Sequence, residues 1–266
     1  MRMLFVLSAA LLAGAARLPA AAQTTAVAAA APPVAAGCPP VPPEALPLPA
    51  SRAALRAGQP LTVVAFGSSS TEGAGASTPG HAYPARLEAL LRAALPGHEV
   101  RVVNRGVGGQ DVSEMLARLD AEVLAERPQL VVWQAGANAA LRGMAPEAFR
   151  ATLADGVARL RASGTDAVLM DSQISPAVLA RPLHPYLAAA MREVAAANSV
   201  PVFSRAELMR AWEAAGVAPL HMLHADGLHH NNRGYACLAE ALAGSILRGL
   251  GAAPAPARVA ASSAPR

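Results

Sequence analysis

The chain has 266 residues, enough for one substantial domain, and its net charge of +4 and pI of about 9.8 raise the question of nucleic-acid binding. All 22 basic residues are arginines, however, and residues 58–251 contain only 16 of them against 17 acidic residues, a net charge of −1. A basic face for polyanions is therefore excluded, and we expect no nucleic-acid partner.

Residues 1–22 have the layout of a secretory signal peptide. Arg2 precedes an apolar run over residues 3–16, and Ala20-Ala21-Ala22 offers small residues for cleavage after Ala22. The run is shorter than the ~20 residues of a membrane-spanning helix. We therefore expect an exported protein, periplasmic or extracellular, with no stable membrane insertion once the signal is removed.

Two segments rich in Ala and Pro flank the remaining chain. Residues 23–57 predict an extended linker, and residues 252–266 predict a disordered tail, which confines the folded domain to residues 58–251. Export permits a disulfide between Cys38 in the linker and Cys237 in the domain. The apolar pattern around Cys237 favours instead a buried, unpaired thiol.

Within the domain, short apolar runs alternate with amphipathic helical patterns. Residues 61–66, between Pro60 and Gly67, are typical of a strand buried on both faces. The predicted strands are 61–66, 99–104, 130–134, 167–170 and 200–203. The predicted helices are 84–95, 112–123, 146–160, 187–194 and a last one that begins near Asn232. This alternation predicts a doubly wound, three-layer α/β/α domain with a five-stranded parallel sheet.

Functional residues of such a domain gather where the strands end. Four loops are expected to meet there, namely residues 67–73, 104–111, 135–144 and 223–231. The first contains Ser68, Ser69 and Ser70, which are candidates for a nucleophile but also ordinary turn or helix-cap residues.

The last loop carries an acid and a base close together. Asp226 and His229 lie three residues apart, and a histidine oriented by a carboxylate accepts a serine proton well. A zinc site is the alternative, because histidines also occur at 221, 224 and 230. Their spacing matches no helical His-x-x-x-His pair, so we expect no metal.

The two remaining loops offer donors for an oxyanion hole, the group of N–H donors that stabilises a tetrahedral intermediate. Gly109 can present an unobstructed backbone N–H, and Asn138 a side-chain amide. The glycine run over 106–109 lacks the sixth-position glycine of a dinucleotide-binding loop, so no cofactor is expected.

Taken together, these loops resemble the four sequence blocks of the SGNH hydrolases, also called GDSL-type esterases. The blocks are residues 67–71, 104–109, 136–138 and 226–229, in the order in which the family has them. The resemblance covers roughly residues 61–250 and implies a flavodoxin-like sheet and ester hydrolysis without metal or cofactor.

The resemblance also implies a role for each candidate residue. Ser69 corresponds to the nucleophile, His229 to the base and Asp226 to the carboxylate that orients it. Gly109 and Asn138 complete the oxyanion hole with the backbone N–H of Ser69.

The sequence departs from the family pattern in places that bear on the substrate. Ser68 stands where the family has the aspartate of Gly-Asp-Ser, Ala139 replaces a frequent aspartate and His230 a frequent proline. Residues 136–143 are similar to the same loop of bacterial periplasmic thioesterase/lysophospholipase members, which favours an acyl ester or thioester. A glycan ester, with deacetylation or O-acetyl transfer at the same site, is the alternative, and a non-catalytic surface-binding module is a third.

Overall fold

The computed structural model describes residues 37–252, so the predicted signal peptide and residues 253–266 of the predicted tail lie outside the described residues. The strands are β1 (Leu61–Gly67), β2 (Val100–Gly106), β3 (Leu130–Gln134), β4 (Asp166–Met170) and β5 (Val202–Phe203). They form one parallel sheet in the order β2-β1-β3-β4-β5. This confirms the predicted five-stranded, doubly wound α/β fold.

Ten α-helices of the described chain connect and cover the strands. They are α1 (Pro49–Arg56), α2 (Ser69–Glu72), α3 (Tyr83–Ala94), α4 (Val112–Arg118), α5 (Ala137–Arg142), α6 (Pro146–Ala162), α7 (Pro176–Leu179), α8 (His184–Ala197), α9 (Arg205–Ala214) and α10 (Asn232–Leu250). None of the helices between residues 37 and 252 combines the length and apolar character needed to cross a membrane.

Side chains of β1, the second strand in the order of the sheet, alternate between two hydrophobic cores. Leu61 and Val63 of β1 pack into the core beneath α3, α9 and α10, whereas Val64 and Phe66 pack into the core beneath α4, α6 and α8. Both faces of β1 are buried, which explains its uninterrupted apolar sequence.

The order of the strands creates a crevice at their carboxyl ends. The chain leaves β1 toward β2 on one side and returns with β3 on the other, and the register pairs Gly67 with Gly106 and Phe66 with Trp133. The loops after β1 and β3 therefore diverge from neighbouring points, the arrangement at which open α/β sheets bind ligands.

The structure differs from the predicted linker over residues 38–57. Leu46 and Leu48 are buried in the core, and α1 donates the backbone N–H groups of Ala50 and Ser51 to the carboxylate of Asp166, at 3.2 and 2.7 Å. The high proline content concealed this packing, because the two leucines have apolar partners only in the folded domain.

The structure also differs from the favoured interpretation of the cysteines. Cys38 and Cys237 form a disulfide with a Cα–Cα distance of 5.2 Å, within the range such bonds adopt. Cys237 is buried, as its apolar surroundings suggested, but it is bonded as well.

The helices were predicted less completely than the strands. The helix predicted over 112–123 ends as α4 at Arg118 and continues as a π-helical turn over Leu119–Val123. Helix α9 was not predicted from the sequence, although Ser204 caps it by accepting the N–H of Glu207 at 3.1 Å. The spacing of Ser204 and Glu207 is that of a helix-capping motif and signals the start of α9.

Candidate active site

A buried glutamine shapes the serine turn between β1 and α2. The side-chain oxygen of Gln134, the last residue of β3, accepts hydrogen bonds from the backbone N–H and the hydroxyl of Ser68, both at 3.1 Å, and from the Thr71 hydroxyl at 3.2 Å. Ser68 therefore directs its hydroxyl into the protein. Gln134 was not among the predicted site residues, because its only signal in the sequence is a polar residue at the end of an apolar strand.

Ser69, His229 and Asp226 form one hydrogen-bonded chain. The Oγ of Ser69 lies 2.8 Å from Nε2 of His229, and Nδ1 of His229 lies 2.7 Å from Oδ2 of Asp226. A carboxylate can only accept at this contact, so Nδ1 carries the ring proton and Nε2 presents its lone pair to the serine hydroxyl. The structure thus brings together the three residues for which a catalytic triad is predicted.

The second oxygen of Asp226 organises the backbone of the same loop. Oδ1 accepts the N–H groups of Leu228 and His229 at 2.9 and 3.0 Å. Partial burial raises the pKa of Asp226, but the hydrogen bond from the His229 side chain and the two backbone N–H groups outweigh it and bring the pKa to about 2. Asp226 is therefore ionised at any pH near neutrality.

His230 plays a different part from its neighbour. It is fully buried, and its Nδ1 donates to the carbonyl of Met222 at 3.0 Å. Burial, together with the positive charge of Arg205, lowers the pKa of His230 to about 3, so the ring is neutral. Across residues 37–252, no group of three or more His, Cys, Asp or Glu side chains is arranged to hold a metal ion.

The two predicted oxyanion donors belong to segments that contact each other. The Asn138 amide, in the first turn of α5, donates to the carbonyl of Gln110 at 2.8 Å. The second N–H of that amide is a further donor. Gly109 has a positive φ of 79°, and a Cβ there would meet no atom within 4 Å, so its backbone is open.

Two arginines that sequence analysis missed hold the loop of Gly109 in place. Arg118 donates from Nε to the side chain of Gln110 at 2.7 Å and from Nη2 to the carbonyl of Gly67 at 3.0 Å. Arg142 of α5 donates to the carbonyl of Gly109 at 2.7 Å. The serine turn, the loop of Gly109 and the end of α5 are thereby tied together.

A cavity of about 520 Å³ lies away from this site. It is lined by α1 and by the segments around Pro128 and Gly164, near the amino ends of the strands. None of the predicted site residues lines it. The hydrogen-bonded chain of polar side chains, rather than the size of this cavity, locates the candidate site.

Comparisons with known proteins found relatives described as lipases and esterases. A model of the non-GDSL lipase-like family matches residues 38–252. The chain is 40% identical to Esterase TesA of Pseudomonas aeruginosa over 85 residues, which cover 32% of this chain and 42% of that protein. It is 31% identical to an arylesterase of Vibrio mimicus over 80 residues, which cover 30% of this chain and 40% of that protein.

Both aligned segments span only about two fifths of those relatives. A solved structure covers more of the chain: the lipase/acylhydrolase from Enterococcus faecalis superposes with a TM-score of 0.60 and 27% identity, covering 74% of this chain and 100% of that one.

Proposed function

This chain belongs to the non-GDSL lipase-like family, and from that premise we propose that it is an exported serine esterase that cleaves carboxylic esters or thioesters through an acyl-Ser69 intermediate. Ser68, in the place of the aspartate of Gly-Asp-Ser, accords with a family described as non-GDSL. The observation that carries the proposal is the hydrogen-bonded chain from Ser69 through His229 to Asp226 at the carboxyl ends of the strands.

The reaction begins when the Oγ of Ser69 attacks the ester carbonyl. A bond forms between Oγ and the carbonyl carbon while the hydroxyl proton moves to Nε2 of His229, which lies 2.8 Å away. Asp226 stabilises the imidazolium through Nδ1 without taking the proton, as its pKa of about 2 allows. Collapse of the intermediate expels the alcohol or thiol, which takes the proton from Nε2 and leaves the acyl group on Ser69.

Water completes the cycle at the same base. It gives a proton to Nε2 as its oxygen attacks the acyl carbon, and the returning proton lets Ser69 leave as a hydroxyl and release the carboxylic acid. Three donors are assigned to the oxyanion: the N–H of Ser69, which as the first residue of α2 has no acceptor within its helix, the N–H of Gly109, and the free N–H of the Asn138 amide.

Export rests on two features. The sequence of residues 1–22 has the pattern of a signal peptide, and the disulfide between Cys38 and Cys237 suits an oxidising compartment. A small-molecule or glycan ester outside the cytoplasm is the substrate class that follows from the proposal.

The test uses p-nitrophenyl acetate and butyrate with the chain that begins at Gln23. Ser69→Ala should lower kcat/KM by roughly 10³-fold or more, because no other group replaces the nucleophile. The exposed Ser113→Ala serves as the matched control and should keep the activity of the unmodified chain. A fluorophosphonate should attach to Ser69; an unchanged rate in Ser69→Ala, or a label on Ser68, would overturn the assignment.

A further inference from the structure

A buried glutamine outside the catalytic residues reaches the loop of His229. Gln173, in the segment that follows β4, is 1% exposed. Its Nε2 donates to the carbonyl of Leu228 at 2.9 Å, and its Oε1 accepts from Nη2 of Arg205 at 2.6 Å. A carbonyl only accepts and a guanidinium only donates, so the Gln173 side-chain amide can satisfy both partners in only one orientation, with Nε2 toward Leu228 and Oε1 toward Arg205.

Arg205, which donates to Gln173, is itself held in place by hydrogen bonds. Its side chain is fully buried at the start of α9, and its Nε donates to the backbone carbonyl of Asp171 at 3.2 Å. The Asp171 carboxylate in turn accepts from the hydroxyl of Ser204 at 2.6 Å and the N–H of Ala206 at 3.1 Å. The end of β4 and the first turn of α9 therefore hold the guanidinium in place.

The contact with Leu228 falls on the peptide group that carries His229. The carbonyl of Leu228 and the N–H of His229 belong to one planar unit. Gln173 holds the carbonyl, and Asp226 accepts the N–H at 3.0 Å. Both ends of this peptide plane are thereby held. The Cα of His229 belongs to the same plane, so the point from which its side chain extends is held relative to Ser69.

We propose that Gln173, anchored by Arg205, is a positioning residue that sets the orientation of His229 toward Ser69. This inference rests on the proposed function, because its effect on turnover depends on His229 being the base. A displacement of about 1 Å at the base weakens proton transfer strongly while leaving substrate binding almost unchanged. Loss of the contact should therefore lower kcat and spare KM.

Gln173→Glu separates this role from simple packing. The glutamate keeps an oxygen acceptor for Arg205 and nearly the same volume, but it has no N–H for the carbonyl of Leu228. We expect kcat on p-nitrophenyl butyrate to fall about 10- to 100-fold with KM changed less than about threefold. Gln59→Glu makes the same change at an exposed position before β1 and should leave both constants unaltered.

Amide hydrogen exchange supplies a readout that needs no turnover. In Gln173→Glu, the amides of Leu228 and His229 should exchange at least about tenfold faster, while amides of β1 and β3 keep their protection. Arg205→Lys should give a weaker form of the same pattern, since a single ammonium replaces the fork of the guanidinium.

Three outcomes would overturn the inference. They are an unchanged kcat with unchanged exchange at 228–229, a rise in KM alone, and a loss of protection throughout the domain, which would mean that Gln173 only supports the fold. If the unmodified chain cleaves no ester and a fluorophosphonate leaves Ser69 unlabelled, the proposed function fails instead, and exchange at 228–229 alone then decides whether Gln173 orders the loop.

Discussion

Asp226→Asn tests the protonation pattern of the site with a change of one atom. Oδ1 of Asp226 accepts two backbone N–H groups, at 2.9 and 3.0 Å, and only an oxygen can take that place. The new amide therefore turns its NH₂ group toward Nδ1 of His229. To accept from this donor the ring must move its proton to Nε2, which then has no lone pair for the hydroxyl of Ser69.

The expected loss of activity follows because, in this variant, Nε2 of His229 is protonated and can no longer accept the proton of Ser69. We expect kcat to fall by about 10³- to 10⁴-fold, which corresponds to about 4 to 5.5 kcal/mol of activation free energy. Steady-state hydrolysis of p-nitrophenyl butyrate measures it, with Asp155→Asn, an exposed carboxylate paired with Arg159, as the control. If Asp226→Asn retains kcat within about threefold of the unmodified chain, the assigned tautomer and the role of Asp226 are both wrong.

Three other variants probe stability and the oxyanion hole. Replacing Cys38 and Cys237 by Ser and Ala should lower the free energy of unfolding in urea by up to about 5 kcal/mol, because the disulfide closes a loop of 199 residues; an unchanged midpoint would contradict this. The pKa of His230 is about 3 in the folded chain, so between about pH 6.5 and 3 only the unfolded chain binds a proton at this residue, and the free energy of unfolding should decline as the pH falls through that range. In urea titrations, His230→Gln should flatten this dependence of stability on pH, and a steeper dependence would refute the assignment. Asn138→Ala should lower kcat about 10²- to 10³-fold with little change in KM, and an effect on KM alone would remove Asn138 from the oxyanion hole.

The features that could be predicted from sequence are those whose causes act over a few residues. The apolar run that forms β1 is buried on both faces, so its sequence alone indicates a strand. The rule that functional loops follow the carboxyl ends of parallel strands then selects the segment of Ser69. The loop of His229 follows α9 rather than a strand, and its signal in the sequence is an acid and a base three residues apart. Residue types alone do not say which of the three serines in this turn is the nucleophile candidate. In the structure it is the Oγ of Ser69 that lies 2.8 Å from Nε2 of His229.

The features that could not be predicted depend on contacts between distant parts of the chain. Gln134 and Gln173 are ordinary polar residues until folding places two hydroxyl groups beside the first and a loop carbonyl beside the second. The burial of Leu46 depends in the same way on α10, where its N–H meets the carbonyl of Ser245 at 3.4 Å. No periodicity or spacing in the sequence records such pairings.

The bond between Cys38 and Cys237 makes a covalent ring of the chain between them, and that ring contains Ser69, Asn138 and His229. A protease that cuts any one peptide bond within the ring yields two fragments that stay joined through sulfur. Such a nicked molecule keeps its mass, apart from one added water, until a reductant is supplied. Outside a cell, where proteases are common and reductants scarce, one cut is therefore not enough to separate the fragment that carries Ser69 from the fragment that carries His229.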